Sequence, residues 1–184
     1  MQLKKVKDLM VPLSEYATVN EGANLLDAID ALERSQLSKS AGEFRHRAVL
    51  VIDKNGGIMG KLGHLAFLKA LEPKYNLIGD IPALSRAGLS SDFISNMMEH
   101  MGLWEDNLSD IYRRAKNTLV KNVMHPVTES IQEDASISEA VHDIIIHQSL
   151  SIIVLRGKQP VGILRLGDVY TYLASAIKEC AKRE

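Results

Sequence analysis

Six histidines (His46, His64, His100, His125, His142, His147) and one cysteine (Cys180) are the side chains best suited to metal binding or nucleophilic catalysis. Their spacing suits neither. His142 and His147 are five residues apart, so they do not share a helix face as two zinc-binding histidines four apart would. A lone cysteine makes no zinc-binding pair and no internal disulfide. Cys180 falls on an apolar helical stripe, which predicts burial away from any base that would activate it. Glu99-His100 has neither a second acid nor a nucleophile beside it. Neither a GxSxG nucleophile elbow nor a GxxxxGK[ST] phosphate loop occurs. The chain is therefore expected not to be an enzyme, with no catalytic residue, no metal ligand and no required cofactor. One cluster remains, Arg45-His46-Arg47. Set in a cleft, these cations can hold phosphates; at a solvated strand start they need no function.

The background composition narrows the classes further. A net charge of -1 over 184 residues offers no broad electrostatic grip on nucleic acid or anionic membrane. Aromatics at 5% are too few for base-stacking platforms. Arg113-Arg114 with Lys116 is a small basic group of the kind found on solvated helix faces, so nucleic acid is not an expected partner. No apolar run reaches the ~18 residues of a membrane span, and "MQLKKVKDLM" lacks the apolar run of a signal peptide. The expected location is the cytoplasm.

The elements that position these residues come twice. "VKDLMVPL" (Val6 to Leu13) is echoed by "VKNVMHPV" (Val120 to Val127), with an offset of 114 from Met10 to Met124. "TVNEGANLLDAI" (Thr18 to Ile29) aligns with "SIQEDASISEAV" (Ser130 to Val141) at an offset of 112. Each copy then starts a helix. Ser136 and Glu139 form a capping box, and Asn24 and Asp27 hold the same posts. Leu25, Ala28, Ile29 and Leu32, like Ile137, Ala140, Val141 and Ile144, fall at i, i+3, i+4, i+7, the apolar stripe of an amphipathic helix. A strand pair follows in each half. Ala48 to Asp53 and Ile58 to Leu62 flank Asn55-Gly56-Gly57, a tight hairpin signal in which Asn-Gly supplies positive φ angles. Ser151 to Leu155 and Val161 to Leu166 flank Arg156 to Pro160. A closing helix ends each half, the later one with Asp168 near its start and Val169, Tyr172, Leu173, Ala176, Ile177 and Cys180 on one face. Either half alone is too small to bury its sheet; two packed sheet to sheet make one core.

Residues 73–119 have no counterpart in the echo and read as helical. Ile94, Met97, Met98 and Met101 form a stripe after Ser90 or Ser91, with Gly102 as a stop. Leu108, Ile111, Tyr112, Ala115 and Leu119 form another after Asn107. This insert either packs against the repeats or offers a Met-rich partner surface. Ser35 to Phe44, small and polar, reads as a surface loop.

An extended M-x-P segment, a capped helix, an apolar hairpin and a closing helix, present twice in register, resemble the cystathionine beta-synthase (CBS) domain pair, or Bateman module. The resemblance covers Val6 to about Glu72 and Val120 to about Lys182. It implies an α+β fold of two βαββα units with pseudo-two-fold symmetry, here with a helical insert: first repeat 1–72, insert 73–119, second repeat 120–184. It also implies a cleft between the repeats for an adenosine-containing ligand such as AMP, ADP, ATP or S-adenosylmethionine, pairing into a homodimer, and sensing on behalf of a protein partner.

The family's ribose signature ends in Gly, an apolar pair, Thr or Ser, two residues and Asp. The second half reads Gly162-Ile163-Leu164-Arg165-Leu166-Gly167-Asp168. Gly and Asp match; Arg165 stands at the hydroxyl position. By the resemblance Asp168 accepts the ribose hydroxyls, while Arg165 can reach a phosphate; by itself, Asp168 can equally be a helix cap. The first half, Gly60-Lys61-Leu62-Gly63-His64-Leu65-Ala66, lacks both hydroxyl and carboxylate. One nucleoside site per chain is the expectation, its adenine edge near Val127 and Thr128 with Leu150 and Ser151 opposite. The rival expectation is a structural or dimerisation module whose ligand site has degenerated.

Overall fold

The structure, a computed structural model, describes residues 4–37, 47–79 and 81–182, with the side chain of Pro82 left aside. Arg45, His46 and most of the expected 35–44 loop lie outside the described residues. In chain order the elements are β1 (Val11–Pro12), β2 (Thr18–Asn20), α1 (Leu25–Leu37), β3 (Ala48–Ile52), β4 (Ile58–Gly63) and α2 (His64–Leu71). The insert contributes α3 (Tyr75–Ile78), α4 (Ile81–Arg86), α5 (Ser91–His100) and α6 (Leu108–Asn117). Then come β5 (His125–Pro126), β6 (Ser130–Gln132), α7 (Ile137–His147), β7 (Ser151–Arg156), β8 (Gln159–Arg165) and α8 (Leu166–Ala181). This is a mixed α+β architecture with two four-stranded sheets, ordered β1-β8-β7-β6 and β2-β3-β4-β5.

Each sheet contains one strand from the other half of the chain. β1 runs antiparallel to β8, Val11 opposite Ile163 and Pro12 opposite Gly162. β5 runs antiparallel to β4, Gly60 opposite Pro126 and Lys61 opposite His125. Both prolines sit on edge strands, where a missing N–H costs no ladder bond and discourages further pairing. The exchange extends upstream. Val6 N–H donates to Ala135 C=O at 3.0 Å, and Val120 N–H to Ala23 C=O at 2.9 Å. Leu25 N–H, at the start of α1, donates to Thr118 C=O at 3.1 Å; Ile137 N–H, at the start of α7, donates to Lys4 C=O at 3.3 Å. Each incoming segment thus satisfies a backbone donor that a helix start leaves orphaned.

The cores follow the same exchange. Val120, fully buried, packs with Leu25, Val49, Val51 and Leu62 of the first half, joined by Met124. Val6, equally buried, packs with Ile137, Ile152, Val154 and Leu164 of the second, joined by Met10. A third cluster, Val11, Tyr16, Leu50, Ile153 and Ile163, fills the space between the sheets. Strand alternation explains the three: Val49 and Val51 face the first core while Leu50 faces the seam, and Ile152 and Val154 face the second while Ile153 faces the seam. Sheets covered on both faces account for the unbroken apolar runs in β3 and β7.

The helices start where the sequence predicts, and the Asn24–Asp27 pair is reciprocal, whereas of the Ser136–Glu139 capping box only the serine half forms. Asn24 Oδ1 accepts from Leu26 and Asp27 N–H, and Asp27 reaches back to Asn24 N–H at 2.8 Å. Ser136 accepts from Glu139 N–H at 3.1 Å, Ser90 from Phe93 N–H at 3.2 Å, and Asn107 from Ser109 and Asp110 N–H. Four further details differ. Ser35 to Leu37 continue α1 rather than open a loop, the Ser35 hydroxyl donating back to Leu32 C=O. In the first hairpin Gly56 has a positive φ and Asn55 does not, because the Asp53 carboxylate accepts from both Asn55 and Gly57 N–H and shapes the turn. The second hairpin is tighter than expected, with Arg156 opposite Gln159. Cys180 is exposed, not buried: α8, at ~1.5 Å per residue, outruns the sheet, and every described residue from Ile177 on is exposed.

The insert is knit to the first half. Ala115 and Ile111 of α6 enter the first core. Glu72, only 1% exposed, accepts Trp104 N–H at 2.9 Å and Lys74 N–H at 3.3 Å. Lys74 Nζ donates to Gly102 C=O at 2.7 Å, and Arg114 bridges Leu71 C=O and Asp106.

Candidate ligand-binding crevice

The last residue of β8 is Arg165, and Asp168 lies in the first turn of α8. Arg165 Nε donates to Asp168 Oδ2 at 2.5 Å and Nη2 to Oδ1 at 2.8 Å, a two-toothed pair. Its side chains are 16% and 14% exposed. Asp168 therefore reaches back toward the residue that precedes α8 but meets its guanidinium. Beside the pair lies Tyr16, 7% exposed. Burial pushes its hydroxyl pKa up; the charge of Arg165 opposes this and that of Asp168 adds to it. Residues 4–11 and α8 enclose a crevice of about 690 Å³ whose wall includes Lys4, Asp8, Val11, Arg165, Asp168 and Tyr172. Lys4 N–H donates to the Tyr172 hydroxyl at 3.1 Å, and Lys4 Nζ sits 5.4 Å from the center of that ring.

The other site residues expected from sequence fall nearby but outside this wall. Ser151 is the register partner of Arg165 across β7 and β8. Its carbonyl accepts from Lys61 Nζ at 2.9 Å, a contact that crosses from one half to the other. Burial pushes the Lys61 pKa down, and Glu129 opposes the shift. Thr128 donates to Glu129 at 2.6 Å, which holds that carboxyl below its ordinary range. Val127 packs in the seam cluster. Leu150 is 75% exposed, with its carbonyl accepting from Leu166 N–H at 3.0 Å. Strand pairing thus brings Ser151 to Arg165 and Leu150 to the neighboring Leu166, while Thr128 is linked to Lys61 only through Glu129 and Val127 packs in the seam with Val11 and Ile163. Arg47 is exposed at the start of β3 and is not part of the crevice wall. Sequence reasoning missed Tyr16, Lys4 and Lys61. A signal existed for the first: Tyr16 aligns with Thr128 at the same offset of 112.

In the first half the place of Asp168 is taken by Ala66, buried in the core. Among the described residues no three His, Cys, Asp or Glu side chains gather to hold a metal. Among them, too, no helix is long and apolar enough to cross a membrane.

Residues 120–175 match the family model described as CBS domain. Similar solved structures span nearly the whole chain. A CBS domain-containing protein of unknown function from Bacillus anthracis str. Ames Ancestor is 19% identical with a TM-score of 0.61, covering 95% of each chain. The chain has the fold of a CBS-domain pair. CBSX2, solved in complex with AMP, is 16% identical with a TM-score of 0.58, covering 93% of this chain and 97% of its own. The CBS domain of a CBS domain-containing membrane protein from Sphaerobacter thermophilus is 22% identical with a TM-score of 0.56, covering 92% and 87%. No curated protein matches the sequence.

Proposed function

We propose that this CBS pair is a non-catalytic regulatory module of the cytoplasm that senses an adenine nucleotide or related adenosyl ligand and signals to a protein partner. The observation that carries it is the position of Asp168: a mostly buried carboxylate in the first turn of α8, facing a crevice walled by segments from both halves of the chain. AMP, ADP, ATP and S-adenosylmethionine are the ligands to compare, and the AMP bound by CBSX2 supports beginning with AMP. The mechanism is a population shift. A ligand gripping both residues 4–11 and α8 favors the arrangement in which they are closed on each other. The homodimer expected of the family has a surface to use: Leu166 and Tyr170 on α8, with Leu150 beside them, are exposed apolar groups.

Thermal unfolding with each ligand tests this. Ligand at about 100 times its Kd stabilizes by about 2.7 kcal/mol, a rise of roughly 5–10 °C for a domain of this size. Asp168→Ala is expected to abolish most of that rise. Flat curves with all four ligands would count against the sensor.

One observation favors a second reading. Both oxygens of Asp168 are already held by Arg165, as in a pair that has become purely structural. On this reading the module serves dimerization alone. Its melting temperature depends on protein concentration and not on nucleotide.

A further inference from the structure

Resting on the nucleotide reading, we infer that Lys61 is an internal competitor for the crevice: its ammonium group holds the place a bound nucleoside's base must take, so a ligand enters only by breaking a contact between the two halves. Crevice and seam are continuous, because Val11 lines the first and packs in the second. Strand alternation says what lies where they join. Leu164 faces the second core and Ile163 the seam, so Arg165 shares the seam face of β8. Ser151 stands opposite Arg165 in the register, its side chain on the same face with the two Cβ atoms roughly 5 Å apart. In the other sheet Leu62 faces the first core, which turns its neighbor Lys61 toward the seam. Lys61 Nζ spans the gap, donating to Ser151 C=O at 2.9 Å and to Ser151 Oγ at 3.4 Å. The equivalent place in the second half, one residue beyond Gly162, holds Ile163, so the tie belongs to one side of the molecule.

A nucleoside whose ribose bonds Asp168 can turn its base out to water or in along Val11 and Ile163. The faces of a base are largely apolar, so burial favors the inward path. That path ends at Ser151, whose carbonyl and hydroxyl Lys61 already uses. The half-buried ammonium is held there by those two oxygens and by the charge of Glu129, and hydrogen bonds to a charged group are the stronger kind. An amino group on the base can donate to the same carbonyl, so ligand and Lys61 exchange places without orphaning it. The observed affinity is then the intrinsic one multiplied by the fraction of molecules in which Lys61 has swung away. The exchange also gives binding a structural consequence, since it removes a polar tie between the repeats.

Titration calorimetry of the full chain with AMP, ADP, ATP and S-adenosylmethionine, on the wild type and on Lys61→Met, tests the inference. Methionine keeps much of the side-chain length and removes the donor. Whichever ligand binds the wild type is expected to bind Lys61→Met roughly 10-fold more tightly. In the wild type, saturating ligand is expected to speed acetylation of Lys61 by acetic anhydride, read by mass spectrometry, because the amine is released to water. Equal affinities, weaker binding by Lys61→Met, or a ligand that shields Lys61 from acetylation overturns the competition while leaving nucleotide binding in place. Binding by Lys61→Met alone supports both. No binding of any of the four to either form overturns the nucleotide reading and the competition together. Should Lys61→Met fail to fold, the wild-type acetylation decides, and a wild type that binds none of the four overturns both.

Discussion

Gly60 and Gly162 occupy equivalent strand positions, and each is pressed by the Met-x-Pro segment of the opposite half. A Cβ on Gly162 would sit 2.7 Å from Val11 O and 2.8 Å from Met10 Sδ; on Gly60, 2.6 Å from His125 O and 2.7 Å from Met124 Sδ. The methionines can turn aside, but the carbonyls belong to β1 and β5 and move only if the strand moves. Gly162→Ala and Gly60→Ala are each expected to cost roughly 1–3 kcal/mol in chemical denaturation. Gly22→Ala, with nothing within 4 Å of the added atom, is expected to be neutral or slightly stabilizing. The paired motifs therefore have a physical reason: each methionine caps the glycine of the other repeat. At this scale the sequence was only partly legible. Asp168 and Arg165 were visible as a deviant signature, but their closure on each other was not, since a three-residue spacing states neither rotamer nor partner. Lys61 carried no signal of its own and gained meaning only from its contact with Ser151, while Tyr16 was legible only through its alignment with Thr128.

At the scale of elements, helices and hairpins were readable because capping residues and apolar periods are local signals. The stripe of α7 is buried at Ile137, Ala140 and Ile144, as its spacing predicts. The exchange of β1 and β5 was not readable: two-residue strands have no period, and their partners lie far away in sequence. Nor was the burial of α8, whose stripe continues past the surface it covers. The insert is held less by its Met stripe than by polar ties to the end of α2. Glu72→Ala leaves the N–H groups of Trp104 and Lys74 without their acceptor, a loss of about 1–3 kcal/mol. Limited proteolysis is expected to cut within residues 79–103 faster in this variant, while the far hairpin of β7 and β8 keeps its wild-type resistance. Equal cleavage at both places would show that Glu72 does not specifically anchor the insert.

At the scale of the whole molecule, neither half is complete without the other. Val6 lies in one core and Val120 in the other, and the crevice has one wall from each half. This construction suits a sensor, because a ligand bridging residues 4–11 and α8 acts on a contact that joins the repeats. Amide hydrogen exchange of the full chain, with and without saturating AMP, tests this most directly. The account predicts that AMP slows exchange both in residues 4–11 and in the first turn of α8, and leaves the β3–β4 turn at residues 53–57 unchanged. Bound AMP that protected neither wall, or only the β3–β4 hairpin, would contradict it.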